Sequence, residues 1–301
     1  MKASDFAGQP RLHILITIVG AVGALLSTHG VGVRAQSAAV KLDVRAAKGL
    51  VVSPVYEGWY EVGGTKYALF SYYNRNLDEV VDVPIGPANR VAPGPPDQGQ
   101  PTRFLPGITY GAFAVALPKD QPKTEVTWTL TANGQTHSIP ASLEPLYLIS
   151  PQRETGSGHP GNTPPVLKFD PAAAPAQGPH GIVAVRTAAL SRPLELDVWV
   201  TDDGLPATRP GARVPASLAS LHLGAWGLAV RWQAYRSSGG AVRFSTQAPE
   251  IEQGRARTTV TFGAPGEYML HVLAIDSRTP TRCCWTNGYV KVTVEKDAPG
   301  R

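Results

Sequence analysis

The side chains best suited to covalent or redox chemistry in this 301-residue chain are two adjacent cysteines, Cys283 and Cys284. They are its only thiols, so no long-range intrachain disulfide can form. Three states stay open: a vicinal disulfide, two free buried thiols, or an intermolecular bond. Redox enzymes more commonly space their cysteines as Cys-x-x-Cys. The pair is therefore expected to act structurally, shaping the turn before the last strand. Asp202-Asp203-Gly204 and Asp276 could together offer carboxylate oxygens to Ca²⁺. Asp-Gly equally serves a backbone turn, and the turn is the preferred reading, so no metal and no cofactor are expected. The seven histidines are dispersed, with no H-x-x-x-H or H-E-x-x-H spacing to gather a transition metal. Neither a G-x-S-x-G elbow nor a Gly-rich phosphate loop occurs, and no enzyme is expected.

Aromatic residues are the other concentrated chemistry. Tyr56, Trp59, Tyr60, Tyr67, Phe70, Tyr72 and Tyr73 fall within 18 residues, seven of the 23 aromatics in the chain. Strand alternation puts Tyr67 and Tyr73 on one face, Phe70 and Tyr72 on the other. An exposed strip using Tyr56, Trp59, Tyr60 and Tyr72 would stack on sugar rings or anchor a protein partner. The competing reading is an aromatic-rich core, and it is the preferred one.

The elements that would position these residues are short strands. Gly and Pro make up about a fifth of the chain, and only 17% of residues are charged. That excludes coiled coils and suits strands joined by turns. Runs at Val40–Val44, Tyr67–Tyr73, Ala112–Leu117, Val126–Ala132 and Thr136–Ile139 are β-like. Asn133-Gly134 between the last two supplies the positive φ values of a type I′ hairpin. Asp82 to Gly107 holds seven prolines and four glycines and reads as a long loop. Further on, Leu194–Thr201 alternates Leu194, Leu196, Val198 and Val200 against polar residues and Trp199, a half-buried strand. Gly227–Tyr235, Arg257–Phe262, Tyr268–Ile275 and Tyr289–Val294 follow, with a short helix expected over 215–225. The fold class is all-β: two immunoglobulin-like antiparallel β-sandwich domains in tandem after a signal peptide. The expected boundaries are 1–35 for the signal peptide, 38–150, a Pro/Gly-rich linker at 151–165 with nothing to bury, and 166–296.

Ala264-Pro265-Gly266-Glu267-Tyr268, leading into an alternating strand that ends at Asp276, resembles the penultimate strand of immunoglobulin-like, PKD-like and cadherin-like domains. The resemblance implies a Tyr268 packed at the sheet corner with its hydroxyl on a backbone group. The strings Glu57-Gly58-Trp59-Tyr60, Tyr73-Asn74-Arg75-Asn76, Val83-Pro84-Ile85-Gly86 and Cys283 through Val292 are similar to those of a group of secreted bacterial two-domain β-sandwich proteins. That likeness implies export and a paired layout, and brings no activity with it.

Export has its own signal. Lys2 and Arg11 precede the apolar run Leu12–Leu26, and Val33-Arg34-Ala35 suits cleavage before Gln36. The run is shorter than the ~18–20 apolar residues of a membrane span. Membrane contact is thus expected only through an uncleaved signal segment. Losing 1–35 removes three cations and one anion, lowering the net charge from +5 to +3. The remaining cations are scattered, so nucleic-acid binding is not expected. The expectation is a periplasmic or secreted, non-enzymatic protein that binds or scaffolds an unknown protein or glycan in the envelope. The alternative is a carbohydrate-binding protein using the Tyr56–Tyr73 region.

Overall fold

The computed structural model describes residues 47–117, 126–155, 160–205, 227–237, 239–276 and 283–297. The expected signal peptide, the strand expected at 40–44 and the helix expected over 215–225 lie outside them. The described chain is all-β, its one helical element being a 3₁₀ turn at Pro145–Tyr147.

In the N-terminal half, β1 (Val52–Val62), β2 (Thr65–Asn74) and β6 (Gly107–Ala116) form an antiparallel sheet. A second sheet joins β4 (Asn89–Ala92), β7 (Thr127–Ala132) and β8 (Gln135–Pro140). β7 shows why the two face each other: Trp128, Leu130 and Ala132 are buried while the threonines between them are not. Phe70 and Phe113 of the first sheet meet Trp128 of the second, the Phe113 and Trp128 rings edge to face at 4.9 Å. The β7–β8 turn has Asn133 at φ +50° and Gly134 at +75°, as its Asn-Gly sequence requires.

The segment from Asp82 to Gly107 differs from the loop expected of it. It contains β4 and β5 (Arg103–Phe104), the latter paired with β3 (Val81–Asp82). Buried Asn89 supplies what the prolines cannot: its amide nitrogen donates to the Val83 and Pro101 carbonyls, and its oxygen accepts from the Trp128 indole. One side chain thus fastens a segment poor in backbone donors.

The C-terminal half repeats the two-sheet plan. One sheet orders β13 (Val242–Phe244), β15 (Arg255–Phe262), β11 (Leu194–Thr201) and β9 (Val166–Lys168), with β14 (Ile251–Glu252) also on β15. The other orders β10 (Ile182–Ala189), β17 (Trp285–Glu295), β16 (Gly266–Ile275) and β12 (Ala229–Arg236), in which β10 and β17 run parallel. Leu196, Val198, Trp232, Leu270, Val272 and Val292 share the core between them. Tyr268 is buried and donates its hydroxyl to the Ala264 carbonyl at 2.7 Å, four residues upstream. That is the corner its sequence context implies.

By their contacts the described residues cluster as one unit. A third apolar cluster explains the continuity. Tyr60 of β1, Leu69 of β2 and Trp285 of β17 are buried together, with Ala114, Ile149, Leu273 and Ile275 against them. β2 is consequently buried on both faces: Ala68, Phe70 and Tyr72 enter the N-terminal core, while Leu69 and Tyr67 face the C-terminal half. The 151–165 segment also departs from expectation. Pro151, Asn162, Pro164 and Pro165 are buried, and the Pro165 carbonyl accepts a hydrogen bond from Thr286. Thr163 donates its amide and hydroxyl to Asp203, while Arg153, Thr155 and Pro160 stay exposed.

Candidate functional site

The aromatic strip is not assembled. Tyr60 and Tyr72 are each only 2% exposed, which removes them from any sugar-binding platform. Tyr60 is enclosed because the β1–β2 sheet meets the C-terminal half on that face; its ring stacks on Tyr67 at 5.3 Å. Tyr72 points into the N-terminal core, edge-on to Phe104, and its hydroxyl accepts from the Leu105 amide. Tyr56 is half-buried between Phe70 and Tyr147, donating its hydroxyl to the Ser142 carbonyl; burial pushes that phenol up to about 12. Trp59 keeps partial exposure, with its indole nitrogen on the Glu144 carbonyl and the Lys66 ammonium 4.9 Å from its ring centre. The exposed apolar residues nearby are Leu146 (87%), Tyr147 and Leu148, which the sequence reading did not single out.

Beside the apolar junction lies a buried polar one, also missed from sequence. The Gln233 amide donates to His271 Nδ1 at 2.8 Å, and His271 Nε2 bonds Asn287 Oδ1 at 2.9 Å. Asn287 Nδ2 then donates to the Gly111 and Pro179 carbonyls. This relay places the proton on Nε2 of a neutral ring. Burial holds the imidazole down, to about 4. Tyr235 and Tyr289 donate to the Ala112 carbonyl, and Tyr235 also reaches the Gly99 carbonyl at 2.6 Å. Both phenols are pushed up, chiefly by burial. Outside them Arg236 forms a two-pronged pair with Asp97 at 2.7 and 2.8 Å. Every one of these bonds to Gly99, Gly111, Ala112 or Asp97 joins the two halves. Gly111 sits at φ +52°, and a side chain there would overlap the Trp285 indole.

Cys283 and Cys284 are bonded to each other, both buried. Their sulfurs lie 3.9 and 3.4 Å from the Asn162 carbonyl oxygen, and the Cys284 carbonyl accepts from the Asp276 amide at 3.5 Å. The pair therefore borders the three aspartates noted in the sequence. Asp202 and Asp203 follow β11, Asp276 follows β16, and one carboxylate oxygen from each lies within 4.8 Å of the others. Turn chemistry is present: Asp202 Oδ2 accepts from Gly204, Asp203 Oδ1 from Leu205. Asp203 Oδ2 also accepts from the Thr163 amide and hydroxyl. Asp276 has no such use. It is 2% exposed, and burial, with Asp202 beside it, pushes its carboxyl up to about 8; the neighbouring Asn162 amide opposes that rise.

No protein family and no curated protein matches this chain. Among solved structures it is similar to the S-layer protein SbsC domains 4 and 5 at 12% identity, covering 57% of this chain and 65% of that one, with a TM-score of 0.23. It is also similar to the D00-D0 domain of intimin, at 12% identity over 81% of this chain and 100% of that one, with a TM-score of 0.24. A tandem of titin Ig domains gives 10% identity over 82% and 100%, with a TM-score of 0.20. The chain spans less than two thirds of the length of the first of these. Likeness at this level assigns no activity.

Proposed function

We propose that the mature chain is an exported, non-enzymatic protein of the bacterial envelope or extracellular space, whose paired sandwiches act as one rigid scaffolding or binding body. The observation that carries this reading is the use made of the buried titratable groups. Tyr235, Tyr289 and, through Asn287, His271 are committed to carbonyls of the opposite half. Strongly shifted pKa values often mark catalytic groups, yet Tyr235, Tyr289 and His271 are used to join the two halves. Buried, fully connected polar networks hold one relative orientation more strictly than apolar packing alone. The glycan reading on Tyr56, Trp59, Tyr60 and Tyr72 loses support with two of its four rings enclosed.

The test is cross-linking in intact cells of the native host, followed by fractionation and intact-mass analysis. The expected result is a chain starting near Gln36 to Ala38 in the envelope or the medium, cross-linked to an envelope component. A chain beginning at Met1 and found alone in the cytosol would contradict it.

A further inference from the structure

We propose that Asp202, Asp276 and Asn162, steadied by Asp203, form a calcium site at the base of the C-terminal half. The aspartates alone would not carry this, since acidic turns are common. The second observation is Asn162. It is 0% exposed, yet neither its amide oxygen nor its amide nitrogen has a hydrogen-bond partner. Both oxygens of buried Asp276 and Oδ1 of Asp202 are likewise unpartnered. A buried polar atom without a partner is costly, more so if charged, and here four such oxygens belong to three neighbouring residues.

Their chemistry selects the occupant. The carboxylates of Asp202 and Asp276 and the amide carbonyl of Asn162 are hard oxygen donors, the kind that Ca²⁺ takes at about 2.3–2.6 Å. Two oxygens on one such ion are separated by at most about 5 Å, and the three aspartate oxygens meet that limit. Among the described residues none of these carboxylates is in an ion pair. A proton shared between Asp202 and Asp276 would satisfy two oxygens and still leave the Asn162 amide oxygen without a partner. A cation serves all four, with water completing the shell.

The surroundings hold the donors in place. Asp203 binds the Thr163 amide and hydroxyl, which fixes the chain at Asn162. The disulfide backs the Asn162 carbonyl from the other side. A residue from the 151–165 segment is thereby joined to the ends of β11 and β16.

The experiment is thermal melting and titration calorimetry on the purified mature protein after chelator treatment, with calcium chloride alone as the probe. Extracellular calcium modules bind at about 10⁻⁴–10⁻³ M. At that affinity about 10 mM calcium chloride should raise Tm by about 3–5 °C. Asp276→Asn should lose the shift while melting no lower than the parent in chelator, because the amide removes a buried like charge. Asp202→Asn, at a less buried position, should lose the shift too and covers the case in which Asp276→Asn fails to fold. A shift of the same size in the Asp202→Asn protein, a shift reproduced by sodium chloride at equal ionic strength, or no shift at all would overturn the proposal.

Discussion

Replacing Trp285 by alanine is expected to destabilise the protein by about 3–5 kcal/mol, the range for truncating a fully buried indole. Trp285 opens β17, but its ring is enclosed by Tyr60 and Leu69 from the N-terminal half and by Leu273 and Ile275 from its own sheet. The cavity would not collapse readily. Its walls belong to two different sheets, and β2 is pinned on its other face by Phe70 and Tyr72 in the N-terminal core. Gly111 abuts the indole and has no side chain with which to fill the gap. Urea unfolding of the parent and the Trp285→Ala variant gives the difference directly. A loss below about 1 kcal/mol, the size of an ordinary surface change, would mean that the junction contributes little.

The second large effect is acid sensitivity from His271. Its folded pKa is depressed to about 4 from an ordinary 6.5. The unfolded chain therefore binds a proton that the folded protein refuses across that interval. Above pH 6.5 the group costs nothing. As pH falls from 6.5 toward 4 stability is lost, and at about 1.4 kcal/mol per pH unit the full loss is about 3 kcal/mol. The groups facing the ring are Gln233, Asn287, Tyr235 and Tyr289, with Arg236 over Tyr235; none offers a carboxylate to an imidazolium. Asp276, raised to about 8, has the opposite slope: its cost grows as pH rises. The difference between the parent and His271→Gln isolates the imidazole. The parent should lose about 3 kcal/mol more than the variant between pH 7 and pH 4. Parallel profiles would show that His271 is not held neutral.

Much of the fold could be read where a strand has one face in a core and the other in solvent. Leu194–Thr201 is such a strand and its bounds are those of β11. Asn133-Gly134 and Tyr268 succeeded because local chemistry dictates a backbone turn and a hydroxyl partner. Alternation also paired Phe70 with Tyr72 correctly, but it states only which side chains share a face. It cannot say that the opposite face meets another sheet, which is why Tyr60 read as a candidate for exposure. β1 carries a register shift between Tyr56 and Gly58 that breaks its period. β10 escaped notice because Val183 and Val185 are apolar residues on its exposed face. Asn162 read as linker because polar composition ordinarily means solvent, whereas its side chain is enclosed. Of the chemistry-bearing residues, the cysteine pair and the three aspartates were visible one by one; their common neighbour was not.

The central claim is that the junction makes the two sandwiches one mechanical body. A calorimetric scan of the purified mature protein at neutral pH tests it most directly. The account predicts a single transition whose calorimetric and van't Hoff enthalpies agree, because neither half can unfold without exposing Trp285, Leu69 and the carbonyl partners of Tyr235, Asn287 and Tyr289. Two resolved transitions, each with its own van't Hoff enthalpy, would contradict it.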